Sequence, residues 1–333
     1  MLRKTLVQAG RIIFELGSGR YPQLQHNLKR LGTNRVPALI FAASLSTQVD
    51  EESVANSKKI DTVKSTCCGI PKSFGKNEKP IRTYDQGLFG DDACFSIQVN
   101  ETTHVTGVAD GVGGWRKHGV DPSAFSSTLM KLCYEIAESG NFDPSRPDLL
   151  MEDAFQTLIV SSNPKPVGSS TACVLIIHKS MLYSANLGDS GFLVWRGDKI
   201  VYKSTEQTHY FNAPYQLCLP PEQEGRKGFI TDMPKHADLE QIPVQSGDVI
   251  LLATDGLWDN LPEKTICKLL QLVDPESEGS LQNICNSITL CARQLSLDES
   301  HISPFCEKAS QQGYGKMTGG KIDDITCLLL IVK

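Results

Sequence analysis

The chain has 333 residues, 40% of them hydrophobic, and a formal net charge of −5, enough apolar material for one large core or two smaller ones. The longest apolar candidate near the start, Val36 to Leu45, is too short to cross a bilayer, so no transmembrane helix is expected. Nucleic-acid binding is disfavoured by the acidic balance and by the lack of a basic stripe interleaved with aromatics.

The first 49 residues stand apart. They carry Arg3, Lys4, Arg11, Arg20, Lys29, Arg30 and Arg35 against a single acid, Glu15, a net charge of +6 that leaves −11 for the rest. With Leu2, Leu6 and Ile13 on one helical side, residues 1–49 read as a mitochondrial presequence, the alternative being a disordered basic arm. Residues 50–83 are polar, Lys- and Ser-rich and without periodicity, and read as a linker. The folded domain is expected over 84–333.

Two strands, Ala93 to Val99 and Thr103 to Ala109, joined at Asn100-Glu101-Thr102, predict an antiparallel hairpin. A helix should start at Asp121 with Pro122 in its first turn and Phe125, Leu129, Leu132, Cys133 and Ile136 on one face, ending near Gly140. A second helix is expected over about 148–160. Four strands then form a meander: Ser170 to Ile177, Met181 to Ala185, Gly191 to Arg196 and Lys199 to Tyr202. The Pro-, Gly- and charge-rich stretch from Gln207 to Asp238 reads as a surface excursion near the site. A strand over Asp248 to Ala253, helices over Pro262 to Leu272 and Leu281 to Leu297, and a last strand over Ile325 to Val332 complete the series. Hairpins and helix pairs come in blocks, which argues for an α+β layered domain with antiparallel sheets.

Four aspartates mark strand ends. Asp110, Asp189 and Asp255 each close an apolar run, and Asp323 precedes the last strand. Glycine follows two of them, as Asp110-Gly111 and Asp255-Gly256, where the backbone can turn closely around an ion; taken singly, each pair is an ordinary Asp-Gly turn. Gathered together, the carboxylates would repel one another unless a cation neutralised them, and an all-oxygen donor set favours Mg²⁺ or Mn²⁺. The 11 cysteines show no metal-ligand spacing with histidine. Cys94, Cys133, Cys173, Cys267 and Cys327 sit in apolar runs as reduced core thiols, while the Cys67-Cys68 pair falls in the linker. No cysteine is followed six residues later by arginine, so no cysteine-based phosphatase loop is present.

In order, GDDACF (90–95), VADGVGGW (108–115), GSSTACVLI (168–176), NLGDSGFLV (186–194), LLATDGLWDN (251–260) and GGKIDDIT (319–326) resemble the signature blocks of the metal-dependent protein phosphatase 2C (PPM) family over about residues 85–332. GVGGWRKHGVDPSAFS resembles the family's mitochondrial branch. The resemblance implies an α-β-β-α sandwich of two antiparallel sheets flanked by helix pairs, and hydrolysis of phosphoserine and phosphothreonine in proteins with two Mg²⁺ or Mn²⁺ ions. By the same resemblance Asp110 would bridge the ions, the Gly111 carbonyl would bind one, and Asp255 and Asp323 the other. Asp91 and Asp92 would hold metal-bound waters, and Asp189 and Asp259 a third, weaker ion. Two departures stand out: Val112 occupies the place of a proposed general-acid histidine, with His118 a substitute, and Gly87 that of a phosphate-gripping arginine, with Arg82 or Arg116 as candidates.

The remaining motifs read as structure. Trp115, Trp195 and Trp258 are expected in packing, His209, Tyr210 and Phe211 in loop packing, and Ser169 and Ser170 at a strand entry. The expected partners are phosphoproteins of the mitochondrial matrix, met by a monomer. A noncatalytic scaffold with the same fold is the alternative reading, and a hydrolase of small phosphoesters a third.

Overall fold

The computed structural model describes residues 62–333 apart from positions 74, 76–78, 85–87, 222–227 and 278. The presequence expected over 1–49 and the Gly87 position therefore lie outside the described residues. Strand β1 (Val63–Ile70) is followed by the hairpin β2 (Asp92–Asn100) and β3 (Thr103–Asp110), then helices α1 (Pro122–Ser139) and α2 (Pro147–Ser161). Strands β4 (Gly168–Ser170), β5 (Ala172–His178), β6 (Met181–Leu187), β7 (Gly191–Arg196) and β8 (Lys199–Lys203) come next. The excursion carries β9 (Thr208–Tyr210), β10 (Ala213–Pro214) and β11 (Leu217–Leu219), and leads into β12 (Asp238–Pro243) and β13 (Val249–Ala253). Helices α3 (Asp255–Trp258), α4 (Glu263–Leu270), α5 (Ser280–Ser296) and α6 (Pro304–Gln311) precede the closing strand β14 (Ile325–Val332).

Two five-stranded sheets, ordered β1-β14-β13-β7-β8 and β12-β6-β5-β3-β2, pair antiparallel throughout. Their facing sides interdigitate through Cys94, Val108, Leu175, Phe192, Val194, Leu252, Leu328 and Leu330. The outer side of the first sheet lies under α4 and α5, and that of the second under α1 and α2. Strand β14 shows the consequence: Leu328, Leu330 and Val332 face the other sheet, while Cys327, Leu329 and Ile331 face the helices, so all eight residues are buried. A strand covered on both sides reads as an unbroken apolar run. Each such Leu contributes about 1.5–3 kcal/mol on burial.

Helix α1 begins as its sequence predicts, with Asp121 as N-cap accepting from the Ser123 amide and Gly140 closing it in the left-handed region (φ 71°). Elsewhere the structure departs from the sequence reading. The domain does not wait for residue 84: β1, inside the segment read as linker, pairs along its whole length with β14. VKSTCCGI lacks a hydrophobic signature because an edge strand needs only backbone hydrogen bonds and small buried side chains; Cys67 and Cys68 are core residues, 1% and 0% exposed. Nor do the four central strands form one meander. β5 and β6 belong to one sheet and β7 and β8 to the other, the chain crossing between sheets at Gly188-Asp189-Ser190. Strand β12 and helices α3 and α6 are absent from the sequence reading: β12 exposes most of its residues, and α3 is too short for a periodicity.

Candidate active site

Antiparallel registers bring the aspartates together. Asp92 opens β2 directly opposite Asp110 at the end of β3. Ala253, the last residue of β13, pairs with Gly191, the first of β7, so Asp255 and Asp189 leave the sheet side by side. Cys327 pairs with the same Ala253, which carries Asp323 and Asp324 to that end of the sandwich as well. The loops pack backbone to backbone there. A Cβ at Gly111 would stand 2.6 Å from the carbonyl oxygens of Asp91 and Pro122, and one at Gly256 would collide with the Asp324 carbonyl. Both Asp-Gly pairs are therefore explained by close approach.

Carboxylate oxygens of Asp110, Asp189 and Asp255 all lie within 4.8 Å of one another. Their environment is short of positive charge. Burial, and then the Asp255 carboxylate, push the Asp110 carboxyl well above the ordinary range, and the same two causes raise Asp189. Burial and then Asp324 raise Asp92, whose Oδ2 accepts from Thr254 Oγ1 at 2.8 Å. Asp323 is pushed up to about 7 by burial and by Asp255. Asp255 is the exception: burial opposes its charge, yet the Lys321 ammonium holds its carboxyl below the ordinary value. One oxygen each of Asp92, Asp189 and Asp255 is buried without a hydrogen-bond partner. Oxygen-only donors, crowded, with unspent lone pairs and unbalanced charge, fit one or more hard divalent cations.

Around this trio Asp91, Asp259, Asp323 and Asp324 are held by cations. Both oxygens of Asp91, which is 1% exposed, go to ion pairs, one with Arg116 and the other with Lys72 at 2.5 Å. Lys72 also reaches Asp324 at 3.1 Å and Asp323 at 4.0 Å, and its backbone carbonyl accepts from Arg293 at 2.9 Å. Asp324 is itself buried, accepting from the backbone amides of Lys72 and Asp91. Lys321 bridges Asp255, Asp259 (2.8 Å) and Asp323 (3.6 Å), while Lys308 joins Asp259 (3.1 Å) to Glu206.

Every aspartate singled out in the sequence thus lies at one end of the sandwich, but not as one shell. Asp189 stands in the tight trio, Asp323 at its edge beside two lysines, and Asp91 and Asp259 are ion-paired. Arg116 reaches this end through Asp91, whereas Arg82 is exposed and its charge is felt by Cys68 of β1. His118 packs against the Trp115 ring, with centroids 5.9 Å apart. Trp115, Trp195 and Trp258 are buried, as read; Trp115 donates to Ser169 Oγ and Trp258 to the Ala253 carbonyl. His209 stacks on Tyr215, and Phe211 packs on Phe305 and Tyr314. Of the core thiols only Cys267 is partly exposed. Lys72, Lys308, Lys321, Asp324 and Thr254 escaped the sequence reading. Lys321 sits inside the GGKIDDIT block and could have been weighed, but Lys72 lies in apparent linker and gives no signal.

A family model described as Stage II sporulation protein E (SpoIIE) matches residues 100–302. The chain is 44% identical over 268 residues to a Homo sapiens protein named Protein phosphatase PTC7 homolog, covering 80% of this chain and 85% of that one. A Xenopus laevis protein of the same name is 42% identical, covering 84% and 92%. Among solved structures, that of the photosystem II phosphatase PBCP aligns with a TM-score of 0.67 and 26% identity, over 82% of this chain and 99% of that one.

Proposed function

The chain belongs to the PP2C-type (PPM) family of metal-dependent serine/threonine protein phosphatases, and we propose that its own residues divide the work at the acidic end as follows. Asp110, Gly111 through its carbonyl, Asp255 and Asp323 would hold two Mg²⁺ or Mn²⁺ ions; Asp92, with one unspent oxygen, would fix water beside them. Bound there, two divalent cations supply Lewis-acid polarisation of the phosphoryl oxygens and a water acidic enough to attack phosphorus in line. Asp189 completes the trio, and Asp259, tied to Lys308 and Lys321, would offer at most a weak third site.

The residues also prepare the approach of a dianion. Arg116 spends one guanidinium nitrogen on Asp91 and is 52% exposed, which leaves donors of its planar fork for phosphoryl oxygens; Lys72 lies across the same carboxylate. Asp91 holds both cations in place. Ser169 and Ser170 are spent on Gln216 and the Thr171 carbonyl, and every cysteine except Cys267 on α4 is buried, so neither these serines nor the buried thiols compete with water. His118, exposed and eight residues beyond Asp110, is the imidazole that would protonate the leaving alkoxide, the nearer His104 being buried.

The observation that carries this reading is the trio of crowded carboxylates, two of which, Asp189 and Asp255, keep a buried oxygen without a partner, an arrangement that a binding scaffold has no use for. Purified protein should hydrolyse phosphothreonine peptides only with added Mn²⁺ or Mg²⁺ and stop on chelation. Turnover indifferent to chelator, or none at saturating Mn²⁺, would overturn it. We place the enzyme in the mitochondrial matrix, supported by the +6 charge and apolar spacing of residues 1–49. A reporter fused to these residues should enter mitochondria; a cytosolic reporter refutes the placement.

A further inference from the structure

A groove lined by Val112, Trp115, His118, Tyr210, Phe229 and Ile230 opens beside the acidic end, with a cavity volume of about 240 Å³. That is below the roughly 300 Å³ at which small-molecule pockets begin, and suits one large side chain. Its floor is fixed. The Trp115 indole stacks on Phe229 with centroids 5.0 Å apart and planes 7° from parallel, and donates to Ser169 Oγ at 2.7 Å. Ser169 donates to Gln216 at 2.6 Å, and the Gln216 backbone amide to Asp232 at 3.0 Å, so the aromatic floor is tied into β4 and the loop beyond β11. Tyr210 stands on the rim, 65% exposed.

The groove is continuous with the catalytic end. Gly111 bridges Ser170 of β4, and the Val112 amide donates to Ser169 O at 3.0 Å, so one short strand braces both the Asp110 turn and the Trp115 floor. Val112 is two residues beyond Asp110, at most about 7.6 Å along the backbone. Directly after Trp115 comes the exposed basic segment Arg116-Lys117-His118, on a chain whose residues after position 49 carry −11. A phosphorylated residue delivered to Asp110 must bring its neighbours across this surface.

Resting on the phosphatase reading above, we propose that the groove is a specificity subsite: it takes a large apolar side chain adjacent to the phosphorylated serine or threonine, in a substrate segment whose acidic flank meets Arg116 and Lys117. The floor is aromatic and the wall mixes Val112 and Ile230 with Tyr210, a preformed apolar arrangement of the kind that makes a single buried side chain an anchor. The basic rim selects the acidic context through charge complementarity.

The full chain with Mn²⁺ is assayed on p-nitrophenyl phosphate, which is too small to span site and groove, and on two acidic phosphothreonine peptides with Leu or Gly next to the phosphorylated residue. The expected result is at least a tenfold higher kcat/KM for the Leu peptide, carried by KM. Phe229→Ala and, separately, Tyr210→Ala should bring that ratio to about two or less while p-nitrophenyl phosphate turnover stays within twofold, and Phe229→Tyr should keep the preference. Equal rates on both peptides, or a preference that survives both alanine variants, overturns the subsite. Wild-type protein inert even toward p-nitrophenyl phosphate would instead remove the phosphatase premise, and the subsite with it.

Discussion

Strand β13 carries an aspartate at each end, Asp248 before it and Asp255 after it, and the two have opposite fates. Asp248 is 0% exposed and satisfied: Arg196 donates to it from Nε at 2.7 Å and Nη2 at 2.6 Å, and the Gln245 amide donates at 2.9 Å. Asp255 is also buried, but keeps one oxygen unpartnered and faces two other carboxylates, with Lys321 its one ion-pair partner among the described residues. Both acids cost free energy to bury. At Asp248 a single guanidinium offsets the cost, whereas at Asp255 part of it is left for an ion, and that residue of imbalance separates the working end of the sandwich from the structural one.

Substitution at the two ends should break this symmetry most sharply. Asp255→Asn and Asp110→Asn should each lower Mn²⁺-supported kcat at least about a hundredfold, since metal-assisted stabilisation of the transition state is worth several kcal/mol. Without metal, Asp110→Asn should unfold at a higher temperature than wild type, because it removes one of three mutually repelling carboxylates. An Asp110→Asn protein of full activity would refute the assignment.

Asp248→Asn should do the reverse. It leaves Arg196 facing an acceptor without charge, so urea denaturation should show a loss of about 3 kcal/mol. The kcat of the folded fraction should be unchanged, and a matching fall in kcat would mean that the two ends are coupled.

Metal addition sharpens the contrast further. Mn²⁺ at 100 times its Kd should stabilise the protein by about 2.7 kcal/mol per site, raising Tm by several degrees. Calorimetry should find that shift intact in Asp248→Asn and reduced in Asp255→Asn.

The smallest effect is expected at His104, on β3 away from Asp110. Burial lowers its pKa to about 4, and its ring meets Ser96 Oγ at 2.8 Å and Gln98 Oε1 at 3.0 Å. The unfolded chain, with an ordinary imidazole near 6.5, takes up its proton first as the pH falls, so the folded state loses stability between about pH 6.5 and 4. Between pH 6.5 and 5 the loss, read by urea denaturation, should be about 1.5 kcal/mol, and His104→Gln should flatten that slope.

Much of this was legible in residues. The β2–β3 hairpin, the capped α1, β13 and β14 announce themselves through period, turn and cap chemistry acting within a few positions. The family blocks pointed to Asp91, Asp92, Asp110, Asp189, Asp255, Asp259 and Asp323, all of which lie at the site, while Asp324 and Glu206 went unremarked. What escaped had no local signal: β1 is a strand because β14 offers it hydrogen bonds, and the supposed meander divides at Asp189 because two sheets, not one, await its halves.

By itself the sequence determined where strands run out and that aspartates stand there, since a change from apolar run to Asp or Asp-Gly is a short-range event. Only the tertiary structure decided which of those aspartates are neutralised. Arg196 reaches Asp248 across 52 positions, Lys321 reaches Asp255 across 66, and the Lys72 backbone amide reaches Asp324 across 252. Charge compensation depends on distance in space, and no pattern along the chain records it.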